Sequence, residues 1–376
     1  MKVVVTGNSG WCIYNYRRNL VRRMVEAGTM VEVATPQDEF LERFQDYGAI
    51  TVPLRMRAKS VNPLRELLSL LDLFQVLRKS KPDYVCSFTV KCNLYVAICA
   101  RLLGFKQIAN VSGLGKSFDK PGMLNAIIKF LYKHTLGSAD RILFQNNEDL
   151  EYCVQKKLVP RQASKRIPGS GVDLKHFLSS DSDESKITYL KRDKLVFLMM
   201  GRLLPQKGYD IFIECARSIL SETDRKIEFW ILGIEDKESI ESALLLDRIQ
   251  TAHQEGVVVF HPFSDEVLPF LRAADVVVLP TFYNEGVPRS LLEALACGKP
   301  LITSDWKGCR DTVVPNVNGL LVKPKSVESL RAAILEMVDM PLAQLRAMGV
   351  ESRKLAERQF DEELVITSYL DELKVA

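Results

Sequence analysis

Short runs of β-branched and aliphatic residues recur along this chain, each followed by a stretch with helical spacing. That alternation confines it to parallel sheets whose strands are joined by crossover helices. In the first half it predicts strands at residues 3–6, 30–35, 50–54, 84–88, 107–111 and 142–145. The series restarts at residues 195–200, 226–232, 257–261, 275–279, 300–303 and 319–322. Between the two lies Ile167-Pro-Gly-Ser-Gly-Val-Asp173, then the polar tract 179–186, which together combine turn formers with solvated charge and suit a domain boundary. A chain of 376 residues, 47% of them apolar, also exceeds what one core usually serves. Two similar α/β domains are therefore expected. Helical periodicity resumes near Val327 and breaks near Pro341, with no strand after it.

The eight cysteines are scattered, with no Cys-x-x-Cys pair and no metal-ligand spacing, as expected of reduced thiols in a cytosolic protein. A strand running directly from Met1 into the turn at Gly7 leaves no place for a signal peptide, and no run approaches the ~18 apolar residues of a membrane helix. The net charge of +4 conceals an asymmetry. Through Ser170 there are 26 basic and 14 acidic residues; beyond it there are 25 and 33. A basic first half suits phosphates, an anionic membrane surface or an acidic substrate. Nucleic acid is disfavoured, because Arg17, Arg18, Arg22, Arg23, Arg55, Arg57, Lys59, Lys116 and Lys120 lie beside apolar residues without a recognised nucleic-acid-binding motif.

Four features bear on chemistry. Thr6-Gly7-Asn8-Ser9-Gly10 is a glycine turn that leads from a strand into a helix and lets backbone amides approach an anion. It resembles the start of the short-chain dehydrogenase pattern, and Tyr152 and Lys156, with Ser138 upstream, match the spacing of that superfamily's catalytic pair. Against that reading, Ile13 stands at the third glycine position, strand two ends in Ala34-Thr-Pro36 without a ribose-binding acid, and Asp38 comes late. It also leaves the second half without a role. Asp181 and Asp183, a candidate metal pair by type, sit in a serine-rich tract that reads as solvated linker, and His134, His176, His253 and His261 suggest no metal cluster.

The third feature, Gly201-Arg202-Leu-Leu-Pro-Gln-Lys207-Gly208, follows a buried strand, where an arginine and a lysine can clamp a diphosphate. The fourth runs Glu285-Gly286-Val287-Pro288-Arg289-Ser290-Leu291-Leu292-Glu293. Here Pro288 suits the first helical turn, leaving the amides of Arg289, Ser290 and Leu291 to a phosphate. Glu285 would stay in the loop and Glu293 lie about one and a half turns along the helix, so that two carboxylates grip two polyols. The plainer alternative is a surface loop with two solvated cations, an exposed helix acid and a capping acid.

Together with Pro168-Gly-Ser-Gly-Val-Asp173, these segments resemble glycosyltransferase family 4 in order and approximate place, over most of the chain. The resemblance implies a GT-B fold: two Rossmann-like domains facing across a cleft, residues 1–168 binding the acceptor and 169–355 the nucleotide-sugar, with residues 356–376 a helix crossing back. It implies a retaining, metal-independent transfer without a cofactor. Arg202 and Lys207 would bind the donor diphosphate, Glu293 the ribose and Glu285 the transferred sugar, with Gly201, Gly286, Val287, Pro288, Arg289 and Ser290 on the donor side. Gly7, Gly10, Ser112 and Gly113 would line the acceptor side. Many family members carry a histidine in the loop after the fourth or fifth strand; here the stretch reads Asn110-Val-Ser-Gly-Leu-Gly115, so Ser112 or backbone groups would take its place.

The glycine-rich variant and the basic first half look like bacterial enzymes that extend lipid-linked oligosaccharides. That implies a UDP-sugar donor, an N-acetylhexosamine or hexose, and a polyprenyl-diphosphate-linked saccharide acceptor. It also implies peripheral attachment to the cytoplasmic face of the inner membrane, where Phe118, Met123, Leu124 and Phe130 stand near Lys116, Lys120, Lys129 and Lys133. The competing classes are an NAD(P)-dependent dehydrogenase or epimerase using Tyr152 and Lys156, and a non-enzymatic anion- or membrane-binding protein.

Overall fold

A computed structural model of the chain describes residues 1–56, 62–115, 118, 122–177, 194–222, 226–237 and 239–374. The linker tract with Asp181 and Asp183, and the cations Arg57, Lys59, Lys116 and Lys120, lie outside these residues. Two units are present, each built on one wholly parallel sheet.

The first unit comprises Met1–Ser170, Asn284–Gly286 and Glu363–Ala376. Its elements are β1 (Lys2–Thr6), α1 (Gly10–Glu26), β2 (Met30–Pro36), β3 (Ile50–Leu54), α2 (Pro63–Ser80), β4 (Tyr84–Phe88), α3 (Val90–Leu103), β5 (Lys106–Val111), α4 (Met123–His134), β6 (Arg141–Phe144), α5 (Asn147–Gln155) and β7 (Ser164–Arg166). The strand order is β3-β2-β1-β4-β5-β6-β7. Val3, Val4 and Val5 are all fully buried, because helices cover both faces of the sheet. Val3 and Val5 pack with Ile13 and Leu20 of α1, whereas Val4 and Val85 pack with Leu73 and Leu77 of α2 and with Cys92 and Val96 of α3. The polar triplet of β7 gives no apolar run, which is why the sequence pattern passes over it.

The second unit comprises Gly171–Tyr283 and Val287–Glu362. It contains β8 (Leu195–Arg202), α6 (Tyr209–Leu220), β9 (Ile227–Ile234), α7 (Ile240–Gln254), β10 (Val259–His261), α8 (Leu268–Ala273), β11 (Val276–Leu279), α9 (Arg289–Ala296), β12 (Leu301–Ser304), β13 (Gly319–Val322), α10 (Val327–Asp339) and α11 (Leu342–Leu355). Its order is β10-β9-β8-β11-β12-β13. In each sheet the order reverses beside the first strand, between β1 and β4 and between β8 and β11. Ligands of open α/β sheets bind at the carboxyl ends of strands at such a switch point.

The final helix, α12 (Glu362–Leu373), packs Val365, Ile366, Tyr369 and Leu373 into the first unit's core with Val3 and Val5. The chain leaves the second unit later than residue 356, because Ala356 and Phe360 are still buried in that unit's core. Val172 donates its amide to Phe360 O (2.8 Å), and Glu362 donates to Val172 O (3.1 Å).

Candidate active site

At the second switch point, β8 delivers Gly201 and Arg202 to its carboxyl edge, and a 3-10 turn over Pro205–Lys207 follows. Gly208 closes that turn at φ +88°. A Cβ there would lie 2.4 Å from the Pro280 carbonyl, so both backbone and space require glycine. Phe282 donates its amide to Gln206 O (2.8 Å) and Thr281 its hydroxyl to the same oxygen (3.2 Å), lacing the loop after β8 to the loop after β11. Tyr209 Oη donates to Gly201 O at 2.8 Å. Arg202 is exposed, whereas Lys207 is only 6% exposed. In poorly hydrated surroundings an ammonium attracts a diphosphate more strongly than it would in water.

The loop after β11 enters α9 differently from the expectation. Pro288 has φ −60° and ψ 123°, which makes it the cap before the helix and not a member of its first turn. That extended ψ lets the Pro288 carbonyl accept the Leu291 amide at 3.1 Å. The Leu291 amide is thus already bonded, which leaves Arg289 and Ser290 of the three amides expected to be available. Val287 is buried beneath them. Glu293 is not the exposed acid of the plainer reading: its Oε1 accepts from Arg289 Nε at 3.0 Å, with both side chains about one-sixth exposed. Arg289 also donates to the Gly171 carbonyl.

Glu285 and Gly286 lie in the first unit, against the loop that lacks the histidine. Gly286 donates its amide to Ser112 O (2.8 Å), and Gly115 donates to Asn284 O (2.7 Å). Gly113, at φ +115°, leaves no room for a Cβ, which would fall 2.5 Å from Glu285 Cα. Ser112, Gly113, Glu285 and Gly286 are therefore brought together. The sequence pattern did not single out Asn146, whose Nδ2 approaches Glu285 O at 3.5 Å, or Gln145, which abuts Gly286. A usable signal existed, since Gln145 and Asn146 break the apolar run Ile-Leu-Phe at the carboxyl end of a parallel strand.

The glycine turn after β1 does not offer the anion site its pattern suggests. Ser9 Oγ accepts the Cys12 amide (3.1 Å), and Asp38 accepts the Trp11 amide (2.9 Å) as well as those of Phe40 and Leu41 (both 3.1 Å). A carboxylate already caps α1 where a dinucleotide pyrophosphate would sit. Gly10 is glycine because a Cβ would collide with Asp38 Oδ1 at 2.1 Å; Gly7 is glycine because the buried Ile13 side chain fills the space beside it, 2.6 Å from a would-be Cβ. The dehydrogenase pair is not assembled either. Ser138 Oγ donates to Thr135 O and accepts from Arg101, Lys156 is an exposed cap, and Tyr152 stands edge-on to Phe118. Among the described residues no three His, Cys, Asp or Glu side chains gather as a metal-ligand set, and no helix is long and apolar enough to cross a membrane.

Two Rossmann-like domains built on these parallel sheets have the GT-B fold. Residues 2–146 match the glycosyl transferase 4-like domain and residues 181–355 the glycosyl transferases group 1 domain, so the chain carries both glycosyltransferase domains. It is 27% identical to the N,N'-diacetylbacillosaminyl-diphospho-undecaprenol alpha-1,3-N-acetylgalactosaminyltransferase of Campylobacter jejuni, over 98% of this chain and 97% of that one. It is likewise 27% identical to the UDP-Gal:alpha-D-GlcNAc-diphosphoundecaprenol alpha-1,3-galactosyltransferase of Escherichia coli, over 75% of this chain and 73% of that one. In fold it is similar to Anabaena Alr3699/HepE, solved in complex with UDP-glucose (TM-score 0.82, 18% identity, 100% of each chain). It is also similar to sucrose-phosphate synthase from Thermosynechococcus elongatus (TM-score 0.83, 19% identity, 100% of this chain and 98% of that one).

Proposed function

We propose that this protein transfers a sugar, with retention of configuration, from a UDP-sugar to a saccharide carried on a polyprenyl diphosphate. The observation that carries the reading is the switch point of the second sheet, where the Arg202 and Lys207 loop is hydrogen-bonded to the loop that opens α9. Two cations and the Arg289 and Ser290 amides favour a diphosphate there, and more so as its bond to the anomeric carbon breaks and negative charge grows. Glu293 holds the ribose and Glu285 the transferred sugar. The acceptor hydroxyl bonds to the anomeric carbon on the face the diphosphate leaves, and its proton passes to a phosphate oxygen. Neither a protein nucleophile nor a divalent ion takes part.

The two relatives with diphospho-undecaprenol in their names support a lipid-linked acceptor. So do two apolar stripes on the first unit. Leu64, Leu67, Leu68 and Leu71 of α2 and Met123, Leu124, Ile127 and Phe130 of α4 are all exposed, at helical spacing. Strand register puts Val4, Val85, Ala109 and Ile142 on one sheet face, the face both helices cover. Each stripe starts in the first turn of its helix, at the end nearer the carboxyl edge of the sheet. With Arg65, Lys129 and Lys133 alongside, such a surface suits an anionic bilayer, as peripheral attachment on the cytoplasmic face requires. The deciding assay measures UDP release with and without a short-chain polyprenyl-diphospho-saccharide, with EDTA present, and reads the product's anomeric configuration by NMR. Inversion, or stabilisation of the protein by NAD(H) and not by UDP, would refute the proposal.

A further inference from the structure

Beneath the Glu285 segment the first unit contains a chain of buried carboxamides that no step above uses. Gln107 Nε2 donates to Ser87 Oγ and to Asn93 O (both 2.9 Å), and Ser87 Oγ donates to Asn93 Oδ1 (2.8 Å). Asn93 Nδ2 donates to Asn110 O (2.7 Å), and Gln145 Nε2 to Asn110 Oδ1 (3.3 Å). Ser87, Asn93 and Gln107 are fully buried, Asn110 is 1% exposed and Gln145 6%. Gln107 Oε1 is left without a partner, but displacing any bonded member would strand the polar group of the next, which resists movement. Its last member touches the segment at issue. Built on Gly286, a Cβ would lie 2.4 Å from Gln145 Oε1 and 2.8 Å from Gln145 Cβ.

We infer that Gln145, held by Asn110, is a positioning residue: it forms the floor on which Gly286 rests and so sets where Glu285 presents its carboxylate. The inference rests on the role proposed above for Glu285. Three contacts constrain the segment from other sides, namely the Gly286 amide to Ser112 O, the Gly115 amide to Asn284 O and the close approach of Gly113 to Glu285. Asn146 Nδ2 approaches Glu285 O at 3.5 Å, and Gln145 supplies a further surface beneath Gly286, its amide bonded to Asn110 Oδ1 while the Asn110 main chain is bonded into the sheet. A one-ångström displacement of a reacting group lowers turnover by about 10²-fold while leaving remote binding untouched. The network therefore affects kcat and not nucleotide affinity, since the nucleotide is held through Arg202, Lys207 and Glu293.

The experiment compares Gln145→Met, which keeps length but removes the amide, with Gln145→Gly, Gly286→Ala and the double variant Gln145→Gly/Gly286→Ala. Gln145→Met is expected to lower kcat at least tenfold with UDP affinity within twofold of the parent. Gly286→Ala is expected to lower it further, and the double variant to recover at least fivefold over Gly286→Ala, because removing the whole Gln145 side chain, Cβ included, admits the new methyl group. Hydrogen exchange provides a readout independent of turnover. Gln145→Met should speed exchange of the Gly286 amide at least tenfold while amides of β1 and β4, in the same unit, keep their protection, which also shows that this unit of the variant is folded. Unchanged kcat in Gln145→Met, a parallel loss of UDP affinity, additive losses in the double variant, or unaltered exchange at Gly286 would each overturn the inference. Should the parent release no UDP from any UDP-sugar, the proposed function fails while the exchange result still decides whether Gln145 seats the segment.

Discussion

Glu293 and Arg289 face each other across one turn of α9, Oε1 to Nε 3.0 Å, and Arg289 extends from that pair to the Gly171 carbonyl. The carboxylate's rotamer is thereby fixed before any ligand arrives, so in the role proposed for it Glu293 would bond ribose hydroxyls with little loss of conformational freedom. Replacing Glu293 by Ala removes charge-assisted hydrogen bonds of about 1.5–3 kcal/mol in all. The UDP dissociation constant should rise about tenfold to a hundredfold, measured by calorimetry, with a smaller effect on kcat at saturating donor.

Glu285→Gln and Lys207→Met should give the reverse pattern for turnover. Groups that act on charge developing in the transition state are typically worth about 10²–10³ in kcat. Both variants are expected to fall in that range in a UDP-release assay. Glu285→Gln should keep UDP affinity within about threefold, while Lys207→Met should weaken it, since in its proposed role Lys207 would meet the diphosphate in ground state and transition state alike.

Gly208→Ala and Gly28→Ala separate strain from collision. Both glycines have positive φ, +88° and +77°, but nothing lies within 4 Å of a Cβ at Gly28, whereas at Gly208 the Pro280 carbonyl is 2.4 Å away. Gly28→Ala should cost about 1 kcal/mol from backbone strain alone. Gly208→Ala should cost more, lower Tm by several degrees and abolish activity by pushing the β8 and β11 loops apart.

Charged substitutions on the exposed stripes should uncouple membrane binding from folding. Leu67→Glu with Phe130→Glu is expected to leave Tm within about 2 °C, because exposed side chains contribute little to the core. Co-sedimentation with vesicles containing 30% anionic lipid should fall about tenfold or more, from the apolar area withdrawn from the bilayer and the lost charge complementarity. Equal sedimentation of parent and variant would remove these helices from the membrane reading.

Desolvation pushes the thiols of Cys86, Cys92, Cys99, Cys215 and Cys297 up to about 12, from an ordinary value near 9. Such groups stay protonated in the fold after the unfolded chain has begun to lose its protons. Their contribution to stability is complete below pH 9 and declines as pH rises toward 12. Urea midpoints should therefore fall between pH 9 and 10.5, less steeply in Cys86→Ala. With a maleimide at pH 7.5 the native protein should react at Cys12 before Cys297, and at the six buried thiols only after unfolding.

The strands were legible because parallel strands covered on both faces are continuous apolar runs, and twelve such runs stand out; β7, with Ser-Lys-Arg, has none. Arg202, Lys207 and Glu293 were legible for a related reason: each follows such a run at the end where ligands gather. The sequence could not show that Asp38, 28 residues from Gly10 along the chain, would return to cap α1, because that depends on the path of β2. Nor could it show Leu291 turned back onto Pro288, a matter of one ψ angle. Gln145 escaped notice because a glutamine after an apolar run is ordinary until Gly286 is seen resting on it.

The placement of α12 gives the protein an order of assembly. A ribosome releases the first unit's strands early, then the whole second unit, and only afterwards the residues that cover Val3, Val5 and Phe88. Until Tyr369 emerges, that side of the first sheet is covered by α1 without α12, and the apolar surface α12 will bury stands open to chaperones or to a neighbouring chain. The unit begun first is completed last, so a nascent chain stalled before Glu362 holds one finished domain and one that cannot close.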